Sequence, residues 1–226
     1  MRYDIKMASL LAMSFWSLSA MAGPMVYIPL GMGNEVIAIN SDTYRITAEY
    51  TGVMNSHGLV ATPDGEYLVA GSLEETPAPA GAPHDTPTSK LYLIHPGHGH
   101  VMRTIPVVGW THHEAITPDG RYVISTHATR GTVSVLDMKT NRIIHYIETG
   151  PSPNYTLITK DGKRAFVSNS GNETITEIDL TIWKPVRTLE AGPAPEHMVF
   201  SFDEQTIYVA NAEAGTVSVV SVESGK

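Results

Sequence analysis

Thr159-Lys160-Asp161-Gly162 opens a stretch that reads as one structural unit. The apolar run Ala165-Phe166-Val167-Ser168-Asn169 follows, then the alternating run Thr174-Ile175-Thr176-Glu177-Ile178, then Lys184 to Glu190, closed by Gly192-Pro193. The same order recurs on both sides. Thr62-Pro63-Asp64-Gly65, Thr117-Pro118-Asp119-Gly120 and Ser201-Phe202-Asp203-Glu204 align with the opening turn, so that its Asp recurs at spacings of 55, 42 and 42 residues. Each turn leads into an apolar or β-branched run, at Tyr67 to Ala70, Tyr122 to Ser125 and Ile207 to Ala210. Alternating runs follow at Thr132-Val133-Ser134-Val135-Leu136 and Thr216-Val217-Ser218-Val219-Val220.

Period-two alternation punctuated by turns predicts strands, and no stretch after residue 22 carries a convincing helical period. Pro presets its own φ, Asp caps the turn, and Gly accepts a positive φ. Four strands in about 42 residues is the size of a propeller blade, and one blade cannot bury both faces alone. The expected fold is therefore all-β, a β-propeller of four-stranded antiparallel blades. Its units run over residues 26–53, 54–109, 110–150, 151–192 and 193–226. With strands named A to D outward from the axis, the first unit lacks A and the last stops after C.

Ala165-Phe166-Val167-Ser168-Asn169 and Ile207-Tyr208-Val209-Ala210-Asn211, with the Gly-Thr-Val-Ser-Val that follows the latter, resemble the YVTN-repeat family of bacterial β-propellers. That resemblance spans about residues 26–226 and implies seven blades. About five are present, so an incomplete seven-bladed ring is expected, the alternative being an unusual five-unit arc. The resemblance specifies fold more than function. Related propellers include lactonases, haem-carrying nitrite reductase domains and copper-carrying nitrous oxide reductase.

Composition narrows the function. The chain has 226 residues, 42% hydrophobic and 17% charged, and no Cys, which excludes disulfides, thiolate metal sites and a Cys nucleophile. A net charge of -8 leaves no basic surplus for nucleic acid. Arg2 and Lys6, an apolar run over Met7 to Leu18, and Ala20-Met21-Ala22 form the pattern of a secretory signal peptide over residues 1–22. The apolar run is shorter than the roughly 20 residues a membrane span needs. An exported, periplasmic protein without a membrane span is expected.

Histidines collect at one place in the repeat. Seven residues before each turn Asp stand His57, His112, Asn154 and Glu196; one residue later stand Gly58, His113, Tyr155 and His197. These positions open strand A, which lines the channel, so the side chains should ring its mouth. His127 occupies the place of Asn169 and Asn211, on the same side. Imidazoles ligate Zn, Cu or haem iron, and Glu196 or Glu114 would serve as carboxylate partners. The candidate metal ligands are thus His57, His112, His113, His127 and His197, and the candidate ligand-binding residues are Asn154, Tyr155, Glu196 and Glu114. The Pro-rich segment Leu73 to Ser89 should lie over the same mouth. A second group, His95-Pro96-Gly97-His98-Gly99-His100, falls in a C–D turn on the opposite side.

Three functions stay open from these residues. One is a periplasmic binding or scaffold propeller without chemistry of its own, since no Gly-x-Ser-x-Gly elbow, thiol or phosphate loop is present. Its partner would be another protein or a small ligand at the mouth. Another is a metal- or haem-dependent redox protein using the histidines. The third is a lactonase-like hydrolase with His and Glu as acid and base.

Overall fold

The computed structural model of the chain describes residues 23–226; the leader expected over residues 1–22 lies outside them. Eighteen strands form five antiparallel sheets in chain order. The first holds β1 (Met25–Leu30), β2 (Glu35–Asn40) and β3 (Arg45–Thr51). The second holds β4 (Leu59–Ala61), β5 (Leu68–Gly71), β6 (Ser89–His95) and β7 (His100–Val107). The third holds β8 (Glu114–Ile116), β9 (Tyr122–His127), β10 (Thr132–Asp137) and β11 (Arg142–Glu148). The fourth holds β12 (Pro153–Ile158), β13 (Arg164–Asn169), β14 (Thr174–Asp179) and β15 (Lys184–Glu190). The fifth holds β16 (Pro195–Phe200), β17 (Thr206–Asn211) and β18 (Thr216–Ser221). The only helical pieces among the described residues are two three-residue 3-10 turns, and none is long and apolar enough to cross a membrane.

The repeated turn is held by the residues that made it recognisable. Thr62 Oγ1 donates to Asp64 Oδ1 at 2.6 Å and accepts from the Tyr67 N–H at 2.9 Å, while Gly65, at φ 72°, donates its N–H to Thr62 O. The pattern repeats at Thr117, Thr159 and Ser201. In the last copy Glu204 adopts the positive φ that Gly takes elsewhere. The hydroxyl bond holds the carboxyls of Asp64, Asp119, Asp161 and Asp203 below the usual range.

Alternation sends successive side chains to opposite faces, and here both faces are apolar. Ala165 and Val167 of β13 face the third sheet, packing with Ile124, Val133, Val135 and Ile147; Phe166 faces the fifth, packing with Met198, Ile207 and Val209. Leu68 and Ala70 meet Val36, Ala38 and Tyr50 of the first sheet, whereas Val69 meets Val123 and Leu136 of the third. Four apolar layers thus separate five consecutive sheets. Each fully buried Leu, Ile or Phe in them contributes about 1.5–3 kcal/mol.

The series leaves a face bare on the fifth sheet. Phe166 and Ile175 of the fourth sheet are 0% exposed beneath the fifth. Their repeat equivalents, Tyr208 and Val217, are 42% and 64% exposed, beside Val199 and Val219. The outer face of the first sheet likewise exposes Val26 and Ile46.

Candidate metal site at the mouth

The mouth is built where strand A of each sheet begins. In the fourth and fifth sheets the register slips between Pro153 and Thr156 and between Pro195 and Met198, a bulge that re-aims the residues within it. Asn154-Tyr155 and Glu196-His197 lie in those bulges. The third sheet anchors His112-His113 in the same way, just ahead of β8. The His112 N–H donates to Thr126 O at 3.1 Å, and the His113 N–H donates to Thr126 Oγ1 at 3.1 Å. The Thr126 hydroxyl also donates to Asn154 O at 2.9 Å, as Ser168 does to Glu196 O at 2.7 Å. In the third and fourth sheets one hydroxyl therefore ties its own strand A to that of the next sheet.

Four of the five candidate histidines meet. His57 stacks on His112 with ring centroids 4.7 Å apart and planes 4° from parallel. His113 lies 4.4 Å from His112, 4.9 Å from His57 and 5.0 Å from His197, with Tyr155 at 5.2 Å. Ligand nitrogens of His57, His112 and His113 all lie within 4.8 Å of one another. Burial, and then the neighbouring imidazoles His57 and His197, push His112 down to about 4; burial, with His112, His57 and His197, pushes His113 down to about 3. Both rings are therefore neutral at pH 7, with lone pairs free to ligate.

His127 is not among them. It is buried and spends both ring nitrogens on the protein, Nδ1 at 3.1 Å from Gly109 O and Nε2 at 2.7 Å from Ser134 Oγ. Burial pushes it down to about 4, so the ring is neutral. A carbonyl can only accept, so Nδ1 carries the hydrogen and Nε2 accepts from Ser134. Asn169 and Asn211 do the equivalent job, bonding the N–H of Gly150 and Gly192 and the hydroxyls of Thr176 and Ser218. His127 is a clasp within the repeat, and its expected place at the mouth is corrected accordingly.

Glu114 lies at the site, yet its carboxyl turns away into the seam between the second and third sheets. A Cβ on either Gly58 or Gly71 would collide with that carboxyl. Both carboxyl oxygens are occluded without a well-formed hydrogen bond, and burial pushes the group up to about 8, which the nearby Gly71 N–H only partly offsets. Occluded polar atoms without partners also occur on Trp110 Nε1, His113 Nε2, Ser125 Oγ, Asn154 Oδ1 and Thr156 Oγ1. Ser125 pairs with Glu114 across β8 and β9, and the Trp110 ring is 5.9 Å from His112. Orphaned polar atoms are rare in folded proteins, and a cluster of them marks a site for a polar ligand, water or ion. Trp110, Ser125 and Thr156 carry no motif by which sequence reasoning would have found them.

The Leu73 to Ser89 segment is tied down by Glu75, which accepts from Thr88 Oγ1 and Thr129 Oγ1 at 2.9 Å each and pairs with Arg130. Those hydrogen bonds hold Glu75 below the usual carboxylate range despite its burial. On the opposite side, His95 and His98 stack at 4.0 Å, and the His95 Nδ1 is taken by the His98 N–H.

No protein-family model and no curated protein sequence matches the chain. Solved structures do. Hydrazine synthase of Kuenenia stuttgartiensis superposes with a TM-score of 0.70 at 16% identity, over 89% of this chain and 64% of that one. With the sheet order above, that decides the fold. The chain has a β-propeller fold. The dihydro-heme d1 dehydrogenase NirN, in complex with DHE, superposes with a TM-score of 0.69 at 17% identity, over 89% of this chain and 42% of the other. The propeller thus spans less than two thirds of the length of either structure.

Proposed function

We propose that this propeller is an exported binding module that holds a transition-metal ion at its mouth through His57, His112 and His113. The observation that carries the reading is the convergence of three imidazoles, from two neighbouring sheets, to within 4.8 Å of one another. Ligand nitrogens stand about 2.0–2.1 Å from a zinc ion, and the exposed His57 ring has room to adjust toward the other two. Neutral imidazoles suit Zn or Cu, whereas Mg and Ca prefer oxygen ligands. Export to the periplasm rests on the leader pattern. A ring of seven blades, of which about five are present, is what the YVTN resemblance implies, and the bare face of the fifth sheet supports that reading.

A second reading, a tetrapyrrole carried by one of these histidines as axial ligand, is favoured by the NirN likeness, whose structure is named as a complex with DHE. The lactonase-like alternative has less support, because the Glu114 carboxyl is turned into the seam rather than the channel.

Chelator-treated full-length protein titrated with Zn²⁺ should take up one equivalent per chain. His57→Ala and His112→Ala should each weaken binding at least about 100-fold, the upper end of what outer-sphere changes cost. An unchanged affinity in both variants would overturn the reading. Uptake of haem with a new Soret band, without zinc uptake, would replace it with the tetrapyrrole reading.

A further inference from the structure

Three imidazoles leave a tetrahedral ion one position short, and the repeat itself offers the residue to fill it. His197 stands in the fifth sheet at the position that His113 holds in the third and Tyr155 in the fourth. All three project from the start of strand A, His113 at the head of its strand and the other two from bulges. Their rings form a triangle of nearly equal sides, His113–His197 5.0 Å, His113–Tyr155 5.2 Å and Tyr155–His197 5.1 Å. Tyr155 fills the fourth sheet's place and flanks both imidazoles. His113 has its Nε2 occluded and without a partner, and lies within 5.0 Å of every other histidine ring in the cluster. His197 is exposed, so its ring can swing without disturbing packing.

We infer that His197 is the fourth ligand of the ion held by His57, His112 and His113. The ion then spans the arc, joining the second and third sheets to the fifth across Tyr155. This rests on the metal reading above. It adds a consequence that the three-histidine site lacks: binding should stiffen the fifth sheet, which otherwise has a neighbour on one face only. The ligand class is also narrowed. Four neutral nitrogens, with no thiolate or carboxylate on the ion, make a site for a borderline divalent cation such as Zn²⁺, Co²⁺ or Cu²⁺.

The test uses full-length, chelator-treated protein and Co²⁺ as the spectroscopic probe, with Zn²⁺ competition for affinity. Wild type should give the intense visible bands of a four-coordinate tetrahedral ion, and saturating Zn²⁺ should raise its melting temperature. His197→Ala should still bind one ion, about 100-fold more weakly, with weakened Co²⁺ bands and a smaller thermal shift. Its metal-free melting temperature should match wild type, because the ring is exposed. If His197→Ala keeps wild-type affinity, spectrum and thermal shift, the fourth-ligand assignment falls while the three-histidine site stands. If Glu114→Gln, rather than His197→Ala, weakens the Co²⁺ bands, the fourth ligand is the carboxylate and the assignment is overturned. If wild type binds neither ion, the three-histidine site itself fails.

Discussion

Gly58→Ala is expected to destabilise the protein by about 3 kcal/mol, the upper end of the usual cost of overpacking, and to weaken metal uptake with it. A Cβ at Gly58 would stand 2.6 Å from His112 O and 2.8 Å from His113 Cα, besides colliding with the Glu114 carboxyl. Two of these obstacles are backbone, so no side-chain rotation relieves them; the second and third sheets must part. The displaced segment is the one that carries His112 and His113. Gly65→Ala is the control. That residue has a positive φ of 72° and open space around it, so its loss reflects left-handed backbone alone, about 1–2 kcal/mol. Urea melts would show the difference as a larger fall in midpoint for Gly58→Ala at an unchanged slope. Equal midpoints for the two variants would contradict the close packing described here.

Metal-free protein should unfold in mild acid. His112, His113 and His127 titrate in the folded chain at about 4, 3 and 4, against about 6.5 when unfolded. As pH falls from about 6.5, the unfolded state takes up protons that the folded state refuses. Stability is therefore whole above that range and is lost as pH falls toward the folded values. One such proton changes stability by about 1.4 kcal/mol per pH unit, so three together steepen the slope to at most about 4 kcal/mol per pH unit. Glu114 acts in the opposite sense. Its folded value is about 8. From about pH 4.5 upward it keeps a proton that the unfolded chain releases, which costs about 3 kcal/mol by pH 7. Glu114→Gln should remove the alkaline decline, leave the acid decline, and move the optimum to higher pH. Melting temperatures across pH 4 to 8 would check both; a flat wild-type profile between 4 and 6.5 would refute the acid limb.

The fold was legible because its signals are local and repeated. Asp64, Asp119, Asp161 and Asp203 each mark a turn held by a side-chain bond two residues away, and alternation after each turn set the strands. The meeting of His57, His112, His113 and His197 was visible only by aligning the repeats, since 140 residues separate the first from the last. The same alignment misjudged His127. Position alone could not tell an imidazole aimed at the channel from one folded back onto Gly109 and Ser134. The column holding His113, Tyr155 and His197 has Gly58 in the second sheet, and that empty place carried information. It is vacant because Glu114, from the next sheet, occupies it. Such compensation between neighbouring repeats cannot be read from one repeat at a time.

The bare face of the fifth sheet also makes the molecule uneven in time. In a stack where each sheet contacts only its neighbours, opening one sheet costs the layers it shares. The second, third and fourth sheets each share two such layers, whereas the first and fifth each share one. Amides of β17 and β18 should therefore exchange with deuterium through local openings, well before those of β9, β10, β13 and β14. An ion held by His197 would slow that exchange, so the channel mouth would govern how often the far sheet lets go.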